Sequence, residues 1–215
     1  MTRPKGELEV KARITKVREL QRRLEHAGAT VEFRGRMADR RYDRSRTLAA
    51  RDEVLRLRTY RPKGRGRSRA VLTWKGAASA RAGGRYRHRL ELELDVSDPG
   101  ALHGVLTRLG FHVSEAIDRR VEVYRLGHAM LRLERYPRMD TLLEVEGSPS
   151  AIERAIAATG LERERFRSES LPYFMQAYRR RTGRSARLSL SDRPPLLPKS
   201  LPRAQRGGEG PGVRS

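Results

Sequence analysis

The 215-residue chain has no cysteine, and that absence excludes a disulfide scaffold, a zinc–thiolate centre and thiol catalysis together. No run approaches the roughly 18 consecutive apolar residues of a membrane span. The opening MTRPKGELEV lacks the apolar stretch of a secretory signal. These absences lead to the expectation of a soluble, cytoplasmic protein with no membrane partner. There is no fixed-period repeat of the kind that builds a solenoid. Lysine is scarce too: six of the 48 basic residues are lysines and the rest are arginines.

What the chain has in quantity is charge. Charged residues make up 34% and hydrophobic ones 37%, which allows one core of ordinary size with few apolar positions to spare. The formal net charge is +22, and residues 181–215 carry +6 of it, eight basic residues against Asp192 and Glu209. In the remainder the acids cluster. A partner with concentrated negative charge is expected, and phosphate fits best. Composition leaves open whether that phosphate belongs to a small molecule, RNA or DNA.

From Thr182 onward there are five prolines, five glycines and no sustained apolar periodicity. The stretch 182–215 reads as a disordered basic tail that cannot bury enough apolar surface to offset its ordering entropy. It could contact polyphosphate or nucleic acid. One domain over 1–181 precedes it. Four segments in that domain read as helices. Residues 15–27 start at Thr15 as N-cap and place Val17, Leu20 and Leu24 on one stripe before Gly28. Asp98-Pro99 opens a second that ends at Gly110. Ser150 and Glu153 have capping-box spacing ahead of a third that stops at Gly160. A weaker fourth covers about 169–180, broken near Pro172.

The other regular segments alternate with period two, at about 6–13, 31–43, 53–61, 69–76, 86–96, 119–126, 129–135 and 141–147. That predicts eight strands, mostly in neighbouring pairs and so antiparallel. Their polar faces are concentrated in carboxylates and guanidiniums. Glu7, Glu9 and Lys11 share one face, and Arg56 and Arg58 alternate with leucines. Arg89, Glu91 and Glu93 do the same, as do Arg132 with Glu134, and Glu144 with Glu146. Either the sheet has a solvated, salt-bridged face, or it closes into a barrel whose interior is the charged face and whose apolar exterior is covered by helices. Like charges two residues apart on one face repel unless a cation sits between them. With no thiol available, Mg²⁺ or Mn²⁺ suits such carboxylates. The basic side chains would then hold an anion that the metal also contacts.

Six elements in order resemble the CYTH family, the triphosphate tunnel metalloenzymes. They are Glu7-Leu-Glu9-Val-Lys11, Asp39-Arg-Arg-Tyr42-Asp43, Leu55-Arg-Leu-Arg58, Leu72-Thr-Trp-Lys75-Gly76, Arg89-Leu-Glu91-Leu-Glu93 and Leu142-Leu-Glu144-Val-Glu146-Gly147. The family includes class IV adenylate cyclases, thiamine triphosphatases and inorganic tripolyphosphatases. The resemblance implies an α+β fold, an eight-stranded antiparallel β-barrel (the triphosphate tunnel) with helices packed on the outside. It implies divalent metal, Mg²⁺ or Mn²⁺, on Glu7, Glu9, Glu134, Glu144 and Glu146. Lys11, Arg56, Arg58, Lys75 and Arg89 would clamp a triphosphate, with Arg119 or Arg120 adding a further cation. Glu91, Glu93 and Lys75 form the implied catalytic set. Glu134 stands where many members have Asp, and Arg119-Arg120 departs from the family's usual Lys-x-Arg pair.

Several residues read more simply. Tyr42 and Trp74 are expected to pack, the five histidines show no metal-ligand spacing, and RPKGRGRSR over 61–69 reads as a mobile hairpin loop. The leading expectation is a metal-dependent triphosphatase acting on inorganic tripolyphosphate or a nucleoside or organic triphosphate. Alternatives are an adenylate cyclase using the same clamp, and an RNA- or polyphosphate-binding protein dominated by its tail.

Overall fold

The computed structural model of the protein describes residues 5–81 and 86–190. Its elements run β1 (Lys5–Ile14), α1 (Val17–His26), β2 (Thr30–Asp43), α2 (Thr47–Ala50), β3 (Val54–Pro62), β4 (Arg69–Lys75) and β5 (Ser79–Arg81). They continue with β6 (Tyr86–Val96), α3 (Pro99–Arg108), β7 (His112–Leu126), β8 (Ala129–Arg135), β9 (Thr141–Glu146), α4 (Pro149–Thr159), a single 3₁₀ turn (Arg163–Arg165) and α5 (Leu171–Thr182). Eight strands lie in the order β1-β9-β8-β7-β2-β3-β4-β6, and pairing of β1 with β6 closes them into an antiparallel barrel. The short β5 only extends one edge of β6. Closure removes the sheet's free edges.

Period-two alternation sorts each strand. Val10, Ala12 and Ile14 of β1, Leu131 and Leu133 of β8, and Leu143 and Val145 of β9 point outward. There they form one core with Leu20 and Leu24 of α1 and Ile152 and Ile156 of α4. Tyr42, Leu57 and Ala70 form a second outer core under Leu106 of α3. The helices leave part of the exterior bare: Leu90, Leu92 and Leu94 of β6 are 42%, 45% and 63% exposed. The interior is mixed as well, because Met37, Tyr60, Val71, Val121 and Val123 pack together inside one end of the barrel.

Several local details differ from the sequence reading. The cap of α4 is Ser148, whose Oγ accepts from the Ala151 amide at 3.3 Å, and not Ser150. The N-cap of α1 is Lys16, whose side chain makes no capping hydrogen bond, so Thr15 does not cap it. Pro172 lies in the first turn of α5, where its missing N–H is harmless, so it opens the helix and does not break it. The cap at Asp98 is as expected, accepting from the Gly100 and Ala101 amides at 2.9 Å each. Strand β7 starts at His112 and not near 119. Its first half is too polar to show alternation, since only Ile117 there is an inward aliphatic side chain that is fully buried.

Residues 183–190, read as tail from sequence, lie against the barrel. The Asp118 amide donates to the Leu188 carbonyl at 2.7 Å, and Arg187 bridges Arg138. Asp118 in turn accepts from Ser189 Oγ at 2.8 Å and the Leu190 amide at 3.0 Å. This segment pairs with the part of β7 that β8 does not reach. The remaining residues called tail, 191–215, lie outside the described residues.

Candidate active site: a charged tunnel

The inward positions of the barrel strands line one cavity of about 670 Å³. Strand alternation puts Glu9 and Lys11 of β1, Arg56 and Arg58 of β3, Lys75 of β4, Arg89, Glu91 and Glu93 of β6, Arg119 of β7, Arg132 and Glu134 of β8, and Glu144 and Glu146 of β9 on its wall. Of the residues proposed from sequence, Arg120 is not among them. It is exposed on the outer face, because its neighbour Arg119 takes the inward position and side chains alternate. Glu7 lies on β1 in register with Arg89, and its side chain falls outside the described ones.

Two charge clusters organise the cavity. In the first, carboxylate oxygens of Glu9, Glu144 and Glu146 lie within 4.8 Å of one another. Two cations are threaded between them. Lys11 Nζ is 2.7 Å from Glu144 and 3.0 Å from Glu9. Arg132 reaches Glu144, and Glu146 at 3.0 Å. Burial alone would lower the Lys11 pKa, but Glu144 and Glu9 outweigh it and hold the ammonium above its ordinary value. Burial would likewise raise Glu144, yet Lys11 and Arg132 hold it well below the usual carboxylate range. Three hard oxygen donors so placed are a set that could hold a metal ion. Glu134 is not in this group: it accepts from Arg119 Nε at 2.8 Å and from the Tyr136 hydroxyl.

The second cluster centres on Asp39, which is 2% exposed. It accepts from Arg58 Nε and Nη2 at 2.7 and 2.9 Å and from Arg119 Nη2 at 3.1 Å. Burial pushes its pKa up, but Arg119 and Arg58 prevail and keep it well below the ordinary value. Arg56 is different. Its Nη2 donates to Thr73 Oγ1 at 3.1 Å, its nearest carboxylate, on Glu93, is 3.8 Å away, and its buried Nε has no partner. Burial and the adjacent Arg58 charge lower its pKa to about 10. Arg119 Nη1 and Arg132 Nε are also buried without partners. Buried guanidinium N–H groups without acceptors are costly, and an anion would supply the missing acceptors.

The rest of the proposed set is engaged in other ways. Lys75 pairs with Glu91, and burial together with Arg56 lowers its pKa. Thr73 donates to Glu93 at 2.8 Å. Arg89 donates to Asp52 Oδ1 at 2.6 Å and to the Asp52 and Gly76 carbonyls at 2.8 and 2.9 Å, tying the approach to β3 onto β6. Sequence reasoning left Asp39, Thr73, Arg132 and Tyr136 out of the site. Asp39 stood within one of the six elements and Arg132 within an alternating strand, but only the register brings them to their partners.

The family comparison bears on this arrangement. The CYTH domain model matches residues 5–158. The chain belongs to the CYTH domain family. No curated protein matches it in sequence. Among solved structures it is similar to a protein of Vibrio parahaemolyticus provisionally named adenylate cyclase, at 17% identity and TM-score 0.66, covering 80% of this chain and 98% of that one. A protein from Pyrococcus horikoshii OT3 has 22% identity and TM-score 0.64, with 80% and 98% coverage. A provisionally named adenylyl cyclase from Hippeastrum, described as having a dominant triphosphatase activity, has 16% identity and TM-score 0.53, with 80% and 95% coverage. At these identities the likeness to this CYTH chain is one of fold. No helix in the described residues is long and apolar enough to cross a membrane.

Proposed function

We propose that the protein hydrolyses the terminal anhydride of a triphosphate inside the tunnel, with divalent metal. The observation that carries this is the under-compensated Arg56, with Arg119 and Arg132, each with a buried N–H that lacks an acceptor, on the wall of a cavity that also holds the Glu9–Glu144–Glu146 oxygens. Buried guanidiniums beside clustered carboxylates suit an anion that arrives with cations.

Arg56, Arg58, Arg119 and Lys11 would bind and orient the phosphate oxygens, with Asp39 holding Arg58 and Arg119 at a fixed separation. A divalent cation on Glu9, Glu144 and Glu146, with Glu7 as a further ligand, would neutralise phosphate charge and polarise the terminal phosphorus. Glu91 or Glu93 would take a proton from the attacking water, with Lys75 holding Glu91. The water oxygen attacks in line, the bridging P–O bond breaks, and the leaving oxygen keeps the electron pair. Orthophosphate and the shortened phosphate chain result.

The test is phosphorus NMR of products from tripolyphosphate or ATP, with and without Mg²⁺ or Mn²⁺. Orthophosphate formed only with metal is expected. Cyclic AMP with pyrophosphate would reassign the protein as a cyclase, and no turnover of either substrate would overturn the hydrolase reading.

A further inference from the structure

The outer wall of β3, β2 and β7 carries arginines that the tunnel does not use. Arg36 is the direct cross-strand partner of Arg61 on one side and of Arg120 on the other. All three are exposed, while their neighbours Met37, Tyr60 and Arg119 face the barrel interior. Strands are about 4.8 Å apart, so the three side chains leave the wall within about 10 Å of one another. Like charges directly opposite destabilise a sheet, and the adjacent acids of β7 do not relieve them. Glu122 accepts from Arg135 at 2.6 Å, Gln21 at 2.8 Å and Tyr124 at 2.7 Å. Asp118 is taken by Arg40 at 2.9 Å, by Ser189 and by the Leu190 amide. Among the described residues no ion pair or side-chain hydrogen bond reaches Arg36, Arg61 or Arg120.

The row continues into the turn between β3 and β4, where Lys63, Arg65 and Arg67 are exposed. The Lys63 amide donates to the Arg34 carbonyl at 2.8 Å, which holds the base of the turn beside the row. The nearby rings do not serve this wall. Phe33 and Tyr60 meet edge to face with centroids 5.4 Å apart and line the cavity, and Tyr124 is buried.

We propose that this outer wall binds the phosphate backbone of a nucleic-acid duplex through Arg36, Arg61 and Arg120 with Lys63, Arg65 and Arg67. Single-strand binders combine a basic surface with aromatic platforms for the bases, and the described residues of this wall present none. A duplex gripped from outside by its phosphates needs neither stacking nor base edges. Binding is therefore independent of sequence and strongly dependent on salt. With about six phosphates neutralised, log K falls against log salt with a slope of about −5.

The test is fluorescence anisotropy of the full chain with a labelled DNA duplex of about 20 base pairs, between about 50 and 200 mM KCl. The variant Arg36→Gln/Arg61→Gln/Arg120→Gln should bind at least about tenfold more weakly at the lowest salt, with a slope shallower by about 3. Residues 191–215 are present in both proteins, so they do not account for a difference. A second variant, Lys63→Gln/Arg65→Gln/Arg67→Gln, lies in the turn outside the strand ladder and should change binding in the same direction. Wild-type affinity in both variants would overturn the proposal, as would absence of binding by the wild type. Preferential binding of a single-stranded oligonucleotide or of long-chain polyphosphate, at equal phosphate concentration, would assign the wall to another occupant and overturn it as well.

Discussion

Asp39 offers the sharpest test of the electrostatics, because Asp39→Asn removes one charge while keeping the side chain's shape. The carboxylate is 2% exposed and holds Arg58 through two bonds of 2.7 and 2.9 Å and Arg119 through one of 3.1 Å. Arg119 keeps Glu134 at 2.8 Å in the variant, whereas Arg58 loses its close carboxylate partner. Removing one member of a buried ion pair costs about 3–5 kcal/mol. At about 2–4 °C per kcal/mol for a domain of this size, the unfolding midpoint should fall by about 6–20 °C at neutral pH. The pH dependence has a definite sign. A carboxyl held below its ordinary pKa of 3.8 contributes stability above that value and loses it as pH falls through the folded pKa. The difference between wild type and variant should therefore narrow in acid. Tripolyphosphate gives a further readout, since a phosphate can take the place of the lost carboxylate beside Arg58. The ligand should raise the variant's midpoint more than the wild type's. Thermal melts followed by the fluorescence of Trp74, the chain's one tryptophan, measure both quantities. Midpoints within about 2 °C of each other, or equal ligand-induced shifts, would show that the Asp39 carboxylate does not hold Arg58 in this way.

Arg56→Gln should behave in the opposite way. Its pKa, lowered to about 10, means that the unfolded chain holds the proton more readily, so the buried charge costs stability. The variant's melting midpoint should be unchanged or higher, while calorimetry should show triphosphate affinity down by about 10- to 100-fold, the equivalent of about 1.5–3 kcal/mol. Mg²⁺ should raise the wild type's melting midpoint, and Glu9→Gln should abolish both that rise and metal-dependent turnover; a retained Mg²⁺ shift would remove Glu9 from the ligand set. Ending the chain after Thr182 deletes the Ser189 and Leu190 bonds to Asp118 and should lower the denaturant midpoint by the equivalent of about 1–3 kcal/mol.

The strands were legible because inward charge and outward leucine alternate within them, and that alternation survives closure of the sheet. Glu9, Lys11, Arg56, Arg58, Lys75, Glu144 and Glu146 all stand on the cavity wall for this reason. What alternation does not carry is register. Whether Arg119 or Arg120 faces inward depends on where β7 meets β2, and the first half of β7 is too mixed to reveal it. The same gap hid the role of Asp39: its distance from Arg119 along the chain is long, and only the β2–β7 ladder joins them. Residues 183–190 were misread for a different reason. They hold to the barrel by backbone pairing and by Asp118, neither of which needs apolar periodicity, so composition resembled that of a free tail.

The charge inventory of the tunnel would link the two ligands proposed for it. Twelve carboxylates and nine cationic side chains line the cavity. An interior with that balance repels a bare polyanion, although Arg56 and Arg119 line it and each has a buried donor without a protein acceptor. Lys11 and Arg132 meanwhile occupy the space between Glu9, Glu144 and Glu146. A divalent cation at those carboxylates would release Lys11 and Arg132 from them. The two side chains would then be available to phosphate, and the surplus of negative charge would be cancelled. A phosphate that draws Lys11 and Arg132 toward itself exposes the same carboxylates to the cation. Each ligand lowers the cost of binding the other, and linkage requires the two effects to be equal. On the proposed function, the carboxylate surplus would act together with the arginines, making anion occupancy conditional on metal.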